Sequence, residues 1–315
     1  MADIDFSSPA DESNRKTQNK GGISTSSTNI RQDILTQDND VETENDPNKI
    51  TVTIADETTP LVILFGPPSC GKTMTLVRLA RYLRGLNGYT IQPVTSFRPS
   101  TDKNYKEICT HFDSMINSEN AADSTNLINF MLVKILYQGK SICQILEAPG
   151  EHYFNPQVPT GKPEDIRYIN TIINSKNRKI WAIIVEPDHT NKNMKNEQDR
   201  KNYVDKITNL KKNIKSRDKI LFVFNKIDET PYIINPGKVQ MREAMREIRN
   251  LYPNVFVPFK NEVPIFKWWK EYNFEFIAFQ TGSYPKCTDG TLGFENGHDI
   301  YPENFWKTIV KLIRG

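Results

Sequence analysis

From about residue 50 onward, short apolar runs alternate with segments in which apolar residues recur at helical spacing. Leu61 to Phe65 is the strongest run, and Lys179 to Val185, Ile220 to Phe224 and Phe274 to Phe279 are of the same kind. They are continuous rather than alternating, as strands covered on both faces read. Ile50 to Ala55 predicts a short strand and Tyr89 to Val94 a weaker one. Phe130 to Tyr137 and Ser141 to Leu146 flank Gln138-Gly139-Lys140, a length and composition suited to a hairpin. Leu76, Leu79, Ala80 and Leu83 fall at i, i+3, i+4 and i+7 and mark an amphipathic helix that ends near Gly85 to Gly88. Further helices are predicted over 105–118, from Pro163 with Ile166, Ile169 and Ile173 on one face, and over 196–215 with Val204, Ile207, Leu210 or Lys211, and Ile214 as its stripe. Two more run over 237–251 and from Pro302, the last burying Phe305, Ile309, Leu312 and Ile313. The alternation predicts an α/β fold: a mostly parallel sheet with one antiparallel hairpin strand and helices on both faces.

Residues 1–49 stand apart, with Asp, Glu, Asn, Ser and Thr in most places and no period, and read as a disordered polar tail ahead of a single domain over 50–315. Residues 1–50 hold 10 acidic and 5 basic side chains, which leaves the body 28 and 36 and a net +8 against +3 for the whole chain. A positive body favours bound polyphosphate; it would tolerate nucleic acid or an anionic surface, although nothing in the sequence supports a nucleic-acid partner. No apolar stretch reaches 18 residues and no basic-then-apolar leader opens the chain, so the expectation is a cytoplasmic protein without a transmembrane segment. Cys70, Cys109, Cys143 and Cys287 lie far apart with no CxxC pair and read as reduced, mostly buried thiols.

Two strings carry the chemistry, and each directly follows an apolar run. Gly66-Pro67-Pro68-Ser69-Cys70-Gly71-Lys72-Thr73 fits GxxxxGK[ST] between a strand and an amphipathic helix. Such a loop offers inward backbone N–H groups and positive potential to a phosphate chain. Gly66 and Gly71 permit close approach, and donors come mainly from Ser69 onward, through Cys70, Gly71, Lys72, Thr73 and Met74, because Pro67 and Pro68 lack N–H groups. Lys72 is expected on the β and γ phosphates and the Thr73 hydroxyl on Mg2+. Asn225-Lys226-Ile227-Asp228 follows Ile220 to Phe224. Guanine presents N1–H and an exocyclic NH2 side by side, and one carboxylate, Asp228, can accept both. Lys226 can lay its stem along the base and Asn225 can tie this loop to the phosphate loop. Two such bonds to a charge favour GTP over ATP by about 10²–10⁴.

The order of these pieces resembles the P-loop GTPases of the translation-factor-related (TRAFAC) class, with a Ras-like core, over about residues 61–315. Beyond the minimal core the resemblance implies insertions around 100–125, 253–272 and 284–301. The family's third motif is DxxG after a hairpin; here Glu147-Ala148-Pro149-Gly150 stands in that place with Glu for Asp. The resemblance implies that Glu147 serves Mg2+, that the Gly150 N–H meets the γ-phosphate, and that Glu151 or His152 orients the attacking water. One extra methylene sets the Glu147 oxygens about 1.5 Å farther out unless the side chain folds back. The family's switch threonine, which completes Mg2+ coordination, is expected in the loop after the first helix, with Thr95 and Thr101 as candidates and Thr101 preferred. Thr281-Gly282-Ser283 resembles the turn whose backbone meets the guanine carbonyl. No arginine finger is assignable; Arg98 is a candidate in cis.

These readings predict a switch protein that hydrolyses GTP to GDP and phosphate with Mg2+, and that meets a protein effector or activator through 95–104 and 150–162. A GTP-binding assembly or scaffolding module with little hydrolysis is the first alternative, favoured by Glu147 and by the lack of Gln after Gly150. A P-loop ATPase or kinase, with the Asn225 string accidental, is the second. Phe266, Trp268, Trp269 and Tyr272, interleaved with Lys267 and Lys270, invite a nucleic-acid or membrane reading, and more often such a run forms a packed flap over a helix.

Overall fold

The computed structural model describes residues 48–117, 130–150, 152–155, 165–187, 196–261, 271–283 and 295–315, within the compact unit Asp46–Gly315. The polar tail through 47, Glu151, Pro163, the aromatic run Phe266 to Trp269, Cys287 and the long return 284–294 lie outside the described residues.

The chain enters β1 (Leu61–Phe65), whose five side chains are all buried, and passes through the phosphate-loop string into α1 (Lys72–Arg84). β2 (Tyr89–Pro93) and α2 (Lys103–Asn117) follow. β3 (Leu132–Tyr137) and β4 (Lys140–Glu147) form the expected hairpin. Gln138 at φ 49° and Gly139 at φ 75° make its two-residue turn, with both central residues left-handed to match the strand twist. Next come α3 (Arg167–Asn174), β5 (Lys179–Val185), α4 (Glu197–Asn213) and β6 (Lys219–Phe224). A small hairpin, β7 (Ile233–Asn235) with β8 (Lys238–Val239), precedes α5 (Met241–Leu251). β9 (Glu275–Ala278), the short pair β10 (Gly282–Ser283) and β11 (Glu295–Asn296), and α6 (Ile300–Arg314) complete the chain.

Among the described residues the main sheet runs β2-β3-β4-β1-β5-β6-β9. The β4-β1, β1-β5, β5-β6 and β6-β9 pairs are parallel, and β3 alone runs against its neighbours. Parallel strands need crossover helices, and these cover both faces of the sheet. The result is a Ras-like P-loop NTPase fold, with β2 added at the hairpin edge.

Three sequence expectations change. Ile50, Val52 and Ile54 are buried while Thr51, Thr53 and Ala55 are exposed, yet 50–55 is not a strand. The alternation buries one face as a strap; the Thr53 N–H bonds Phe97 O at 2.9 Å, but no ladder forms. Helix α5 starts at Met241 rather than near 237, because Gly237 at φ 77° turns the β7–β8 hairpin. Helix α3 starts at Arg167, with Ile169 and Ile172 fully buried and Ile173 nearly so. Cys70, Cys109 and Cys143 are free and buried. Among the described residues no helix is long and apolar enough to cross a membrane.

Candidate functional site

The C-terminal ends of β1, β4, β5 and β6 lie side by side in the sheet, and the loops leaving them form the site, as open α/β sheets allow. The first runs from Gly66 to Gly71 and enters α1. No acidic side chain stands in the first turn of α1, so the positive end of its dipole is left for an anion. Gly71 adopts φ 86°, and a Cβ there would stand 2.5 Å from Asn225 Nδ2. A Cβ at Gly66 would meet Cys70 Sγ at 2.4 Å. Ser69 is also left-handed, at φ 61°. Lys72 is buried, and its ammonium donates to Gly66 O at 3.2 Å and Pro67 O at 2.9 Å. The side chains of Cys70 and Met74 pack into the core, so either could serve a ligand only through its backbone.

Asn225, buried at the end of β6, joins two of the loops: its Nδ2 donates to Cys70 O at 2.8 Å, and its own N–H bonds Val185 O at 2.9 Å. Lys226 follows in the left-handed region at φ 54°. Its ammonium lies 3.5 Å from Ser69 O and 2.5 Å from an oxygen of Glu186, a fully buried carboxylate. Asp228 sits in a short 3-10 turn, Ile227–Glu229, open to solvent. Partial desolvation raises its carboxyl above the usual range, while hydrogen bonds from its own backbone and from Gln280 pull the other way. The Ile227 N–H bonds Phe279 O at 3.2 Å and brings the turn after β9 beside this loop. Thr281 is buried there, and Thr281 O accepts from the Gly297 N–H at 3.4 Å. Gly282 pairs with Asn296. From α1, buried Arg78 reaches across to Gly297 O at 2.7 Å and to Asp299, and so braces the chain directly after β11.

Glu147, the last residue of β4, is buried, with Oε1 3.3 Å from Thr73 Oγ1 and Oε2 accepting the Phe130 N–H. Thr73 and Glu147 thus present an all-oxygen pair, the hard donor set that suits Mg2+, with further positions left for phosphate oxygens and water. Among the described residues no group of three or more His, Cys, Asp or Glu gathers as a metal cluster. Gly150 presses on the phosphate loop: a Cβ there would stand 2.6 Å from Gly66 O and from Pro67 C. His152 Nδ1 is 3.1 Å from Tyr168 OH. Tyr153 and Phe154 are buried; Tyr153 OH donates to Lys206 O at 3.1 Å, and Lys206 Nζ to Asn155 O at 2.6 Å.

The structure therefore gathers Gly66, Ser69, Gly71, Lys72, Thr73, Asn225, Lys226, Glu147 and Gly150 around one loop. Thr95 and Thr101 are exposed on the segment between β2 and α2. The chain seen to reach Glu147 from that side is Phe130, whose ring packs on Phe97 and Tyr168. Arg98 is bound to Asp102 at 2.9 Å with its guanidinium over Phe130. Sequence reasoning missed Glu186, Phe130, Tyr168 and Arg78. Only Glu186 carried a signal, as an acid directly after the apolar run Ile180 to Val185.

No family model matches the sequence, and no curated protein matches it. Among solved structures, a Plasmodium falciparum protein described as nucleolar GTP-binding protein 1 is similar at 13% identity and TM-score 0.41, over 84% of this chain and 90% of that one. The FeoB G-domain of Methanococcus jannaschii is similar at 12% and 0.33, over 82% and 99%. A structure of the chloroplast translocon GTPase components atToc33 and psToc159 is similar at 12% and 0.41, over 82% and 83%. At those scores the reading of the site rests on this chain's own residues.

Proposed function

We propose that this chain binds Mg2+ with guanine nucleotide and hydrolyses GTP to GDP and phosphate. The observation that carries the reading is the 2.8 Å bond from Asn225 Nδ2 to Cys70 O, which fixes the base-reading string against the phosphate loop on one edge of one sheet. The backbone donors from Ser69 to Met74 would receive the phosphates, and Lys72 would exchange its two carbonyl partners for β and γ oxygens. Asp228 would accept both guanine donors while Thr281 and Gly282 close over the base edge. Thr73 and Glu147 would hold Mg2+, which when bound supplies positive charge to the phosphate oxygens. The Gly150 N–H would meet the γ-phosphate; Glu151 or His152 would orient the water whose oxygen attacks phosphorus in line as the bond to the GDP oxygen breaks. His152, held by Tyr168, can orient a water while neutral without facing the triphosphate with a negative charge. Thr101 is proposed as the residue that completes the metal site, and 95–104 with 150–162 as the surface that meets an effector; of the latter, 151 and 156–162 lie outside the described residues.

A second reading, a GTP-binding assembly module with little hydrolysis, is favoured by the burial of Tyr153 and Phe154, which holds down the stretch following Gly150. Incubation with Mg2+ and GTP separates the two: phosphate release abolished by Lys72→Ala supports the hydrolase, and retention of intact GTP supports the module. Displacement of labelled GTP by ATP as readily as by GDP overturns both.

A further inference from the structure

Resting on the guanine-nucleotide reading, we propose that Glu186 is a positioning residue for the base, acting through Lys226. Glu186 directly follows β5, and its side chain is fully buried. Beneath it lies an aromatic floor: Tyr252 OH donates to Glu186 O at 3.3 Å, Tyr203 OH to Ile184 O at 2.6 Å, and the two rings stand 5.9 Å apart. A carboxylate in such a place needs a cation, and Lys226 Nζ supplies it at 2.5 Å. Both charges also act on Cys70 in the phosphate loop: burial pushes that thiol up to about 12, while Lys72 and Lys226 pull it down and Glu186 adds to the rise.

The arrangement fixes a side chain that is otherwise among the most mobile. Lys226 is held at its backbone by a left-handed conformation (φ 54°, ψ 38°) and at its tip by Glu186, with Ser69 O a further 3.5 Å contact. Its four-carbon stem is thereby stretched between the base-reading loop and the phosphate loop, as a flat apolar rail for the base, and the rotamer freedom is surrendered before the nucleotide arrives. A carboxylate beside a loop built for phosphate repels the ligand unless it is neutralised, so phosphate binding alone gives no reason for Glu186 here. Positioning the lysine does.

The test compares full-length wild type, Glu186→Gln, Lys226→Met and the double variant by calorimetry with GDP and, separately, with inorganic pyrophosphate. Glu186→Gln is expected to weaken GDP about tenfold, by loss of pre-organisation, and to leave pyrophosphate within about twofold. In the Lys226→Met background it should add less than about twofold. Glu186→Asp keeps the charge and withdraws it from Lys226, and should weaken GDP in the same direction; it carries the test if the Gln variant does not fold. Equal weakening of GDP and pyrophosphate, additive effects in the double variant, or wild-type affinity in Glu186→Gln overturns the inference alone. Failure of the wild type to take up GDP overturns the guanine reading, and this inference with it.

Discussion

Replacing Gly150 by Ala asks whether the segment leaving β4 meets the phosphate loop through backbone alone. An ideal Cβ at Gly150 would stand 2.6 Å from Gly66 O, 2.6 Å from Pro67 C and 2.7 Å from Pro68 N. Carbon contacts are comfortable at about 3.5 Å, so the two segments must part by roughly 0.8–0.9 Å. None of the three atoms is the far end of a side chain, and the loop is stiffened by two prolines and by the Lys72 bonds to Gly66 O and Pro67 O. Overpacking of this kind costs about 1–3 kcal/mol, which for a folded body of this size lowers Tm by roughly 2–12 °C. The functional loss is separate. Displacing the Gly150 N–H from the γ-phosphate position removes one hydrogen bond to a charge, about 1.5–3 kcal/mol, so the preference for a non-hydrolysable GTP analogue over GDP should fall by roughly 10- to 100-fold while GDP affinity holds. Thermal melting and competition against labelled GDP measure the two effects. An unchanged Tm together with an unchanged analogue-to-GDP ratio refutes the geometry; a lowered Tm with an unchanged ratio leaves the close approach standing and refutes the γ-phosphate role.

Asn225→Ala leaves buried Cys70 O without its side-chain donor and should cost about 1–3 kcal/mol of stability, weakening GDP and GTP equally in a calorimetric titration; a loss confined to GTP argues against it. Lys179 and Lys206 are both held down at about 8 by burial. The unfolded chain keeps those protons up to about 10.4, so stability in urea should rise as pH climbs from about 8 to 10, and Lys206→Met should flatten part of that rise. Burial alone would raise the Asp56 carboxyl, but the Lys134 ammonium at 2.8 Å and hydrogen bonds from Thr59 and Thr58 more than offset it and hold the group well below its usual range. Its contribution is therefore present above about pH 4 and lost as pH falls; because water screens this partly exposed pair, Asp56→Asn should cost at most about 1 kcal/mol at neutral pH and flatten the acid limb of the stability curve.

How much of this was legible follows from where each signal resides. The strand Lys179–Val185 was readable because the six consecutive apolar residues Ile180 to Val185 leave no other period to choose, and all seven positions prove buried. The β3–β4 hairpin was readable because Gln138-Gly139 is local turn chemistry. Ile50, Val52 and Ile54 misled, since alternation reports a buried face and says nothing of a ladder partner. At α5 the helical period ran on into residues whose conformation was claimed by Gly237, where a Cβ would meet Ile300 at 2.6 Å, a contact no window around 237 contains. The site divides the same way. The phosphate-loop and Asn225 strings are contiguous, because in the proposed function adjacent backbone amides and a single side chain would do the binding. Glu186, Phe130 and Arg78 reach the site only through the tertiary fold, from an adjacent strand end, from a chain crossing ahead of the hairpin and from the far face of α1.

The Glu147 position shows how an altered motif is absorbed by its surroundings. A carboxylate one methylene longer than Asp can overshoot or fold back, and the choice is set by what its second oxygen finds. Here that oxygen takes the N–H of Phe130, a non-glycine residue held at φ 52°, outside the usual regions for an aromatic side chain. The strain is offset by packing: the Phe130 ring lies 5.4 Å from Phe97, 4.5 Å from Tyr168 and under the Arg98 guanidinium at 5.4 Å. With Oε2 tied there, Oε1 is left 3.3 Å from Thr73. The extra methylene is thus taken up sideways, toward the chain that precedes β3, and the carboxylate couples that chain to the candidate metal position. Because Tyr168 also holds His152 at 3.1 Å, Phe97, Phe130 and Tyr168 connect three parts of the candidate site that the sequence keeps far apart: the 95–104 segment, the Thr73–Glu147 pair and His152. A displacement of Phe130 is therefore felt at all three at once.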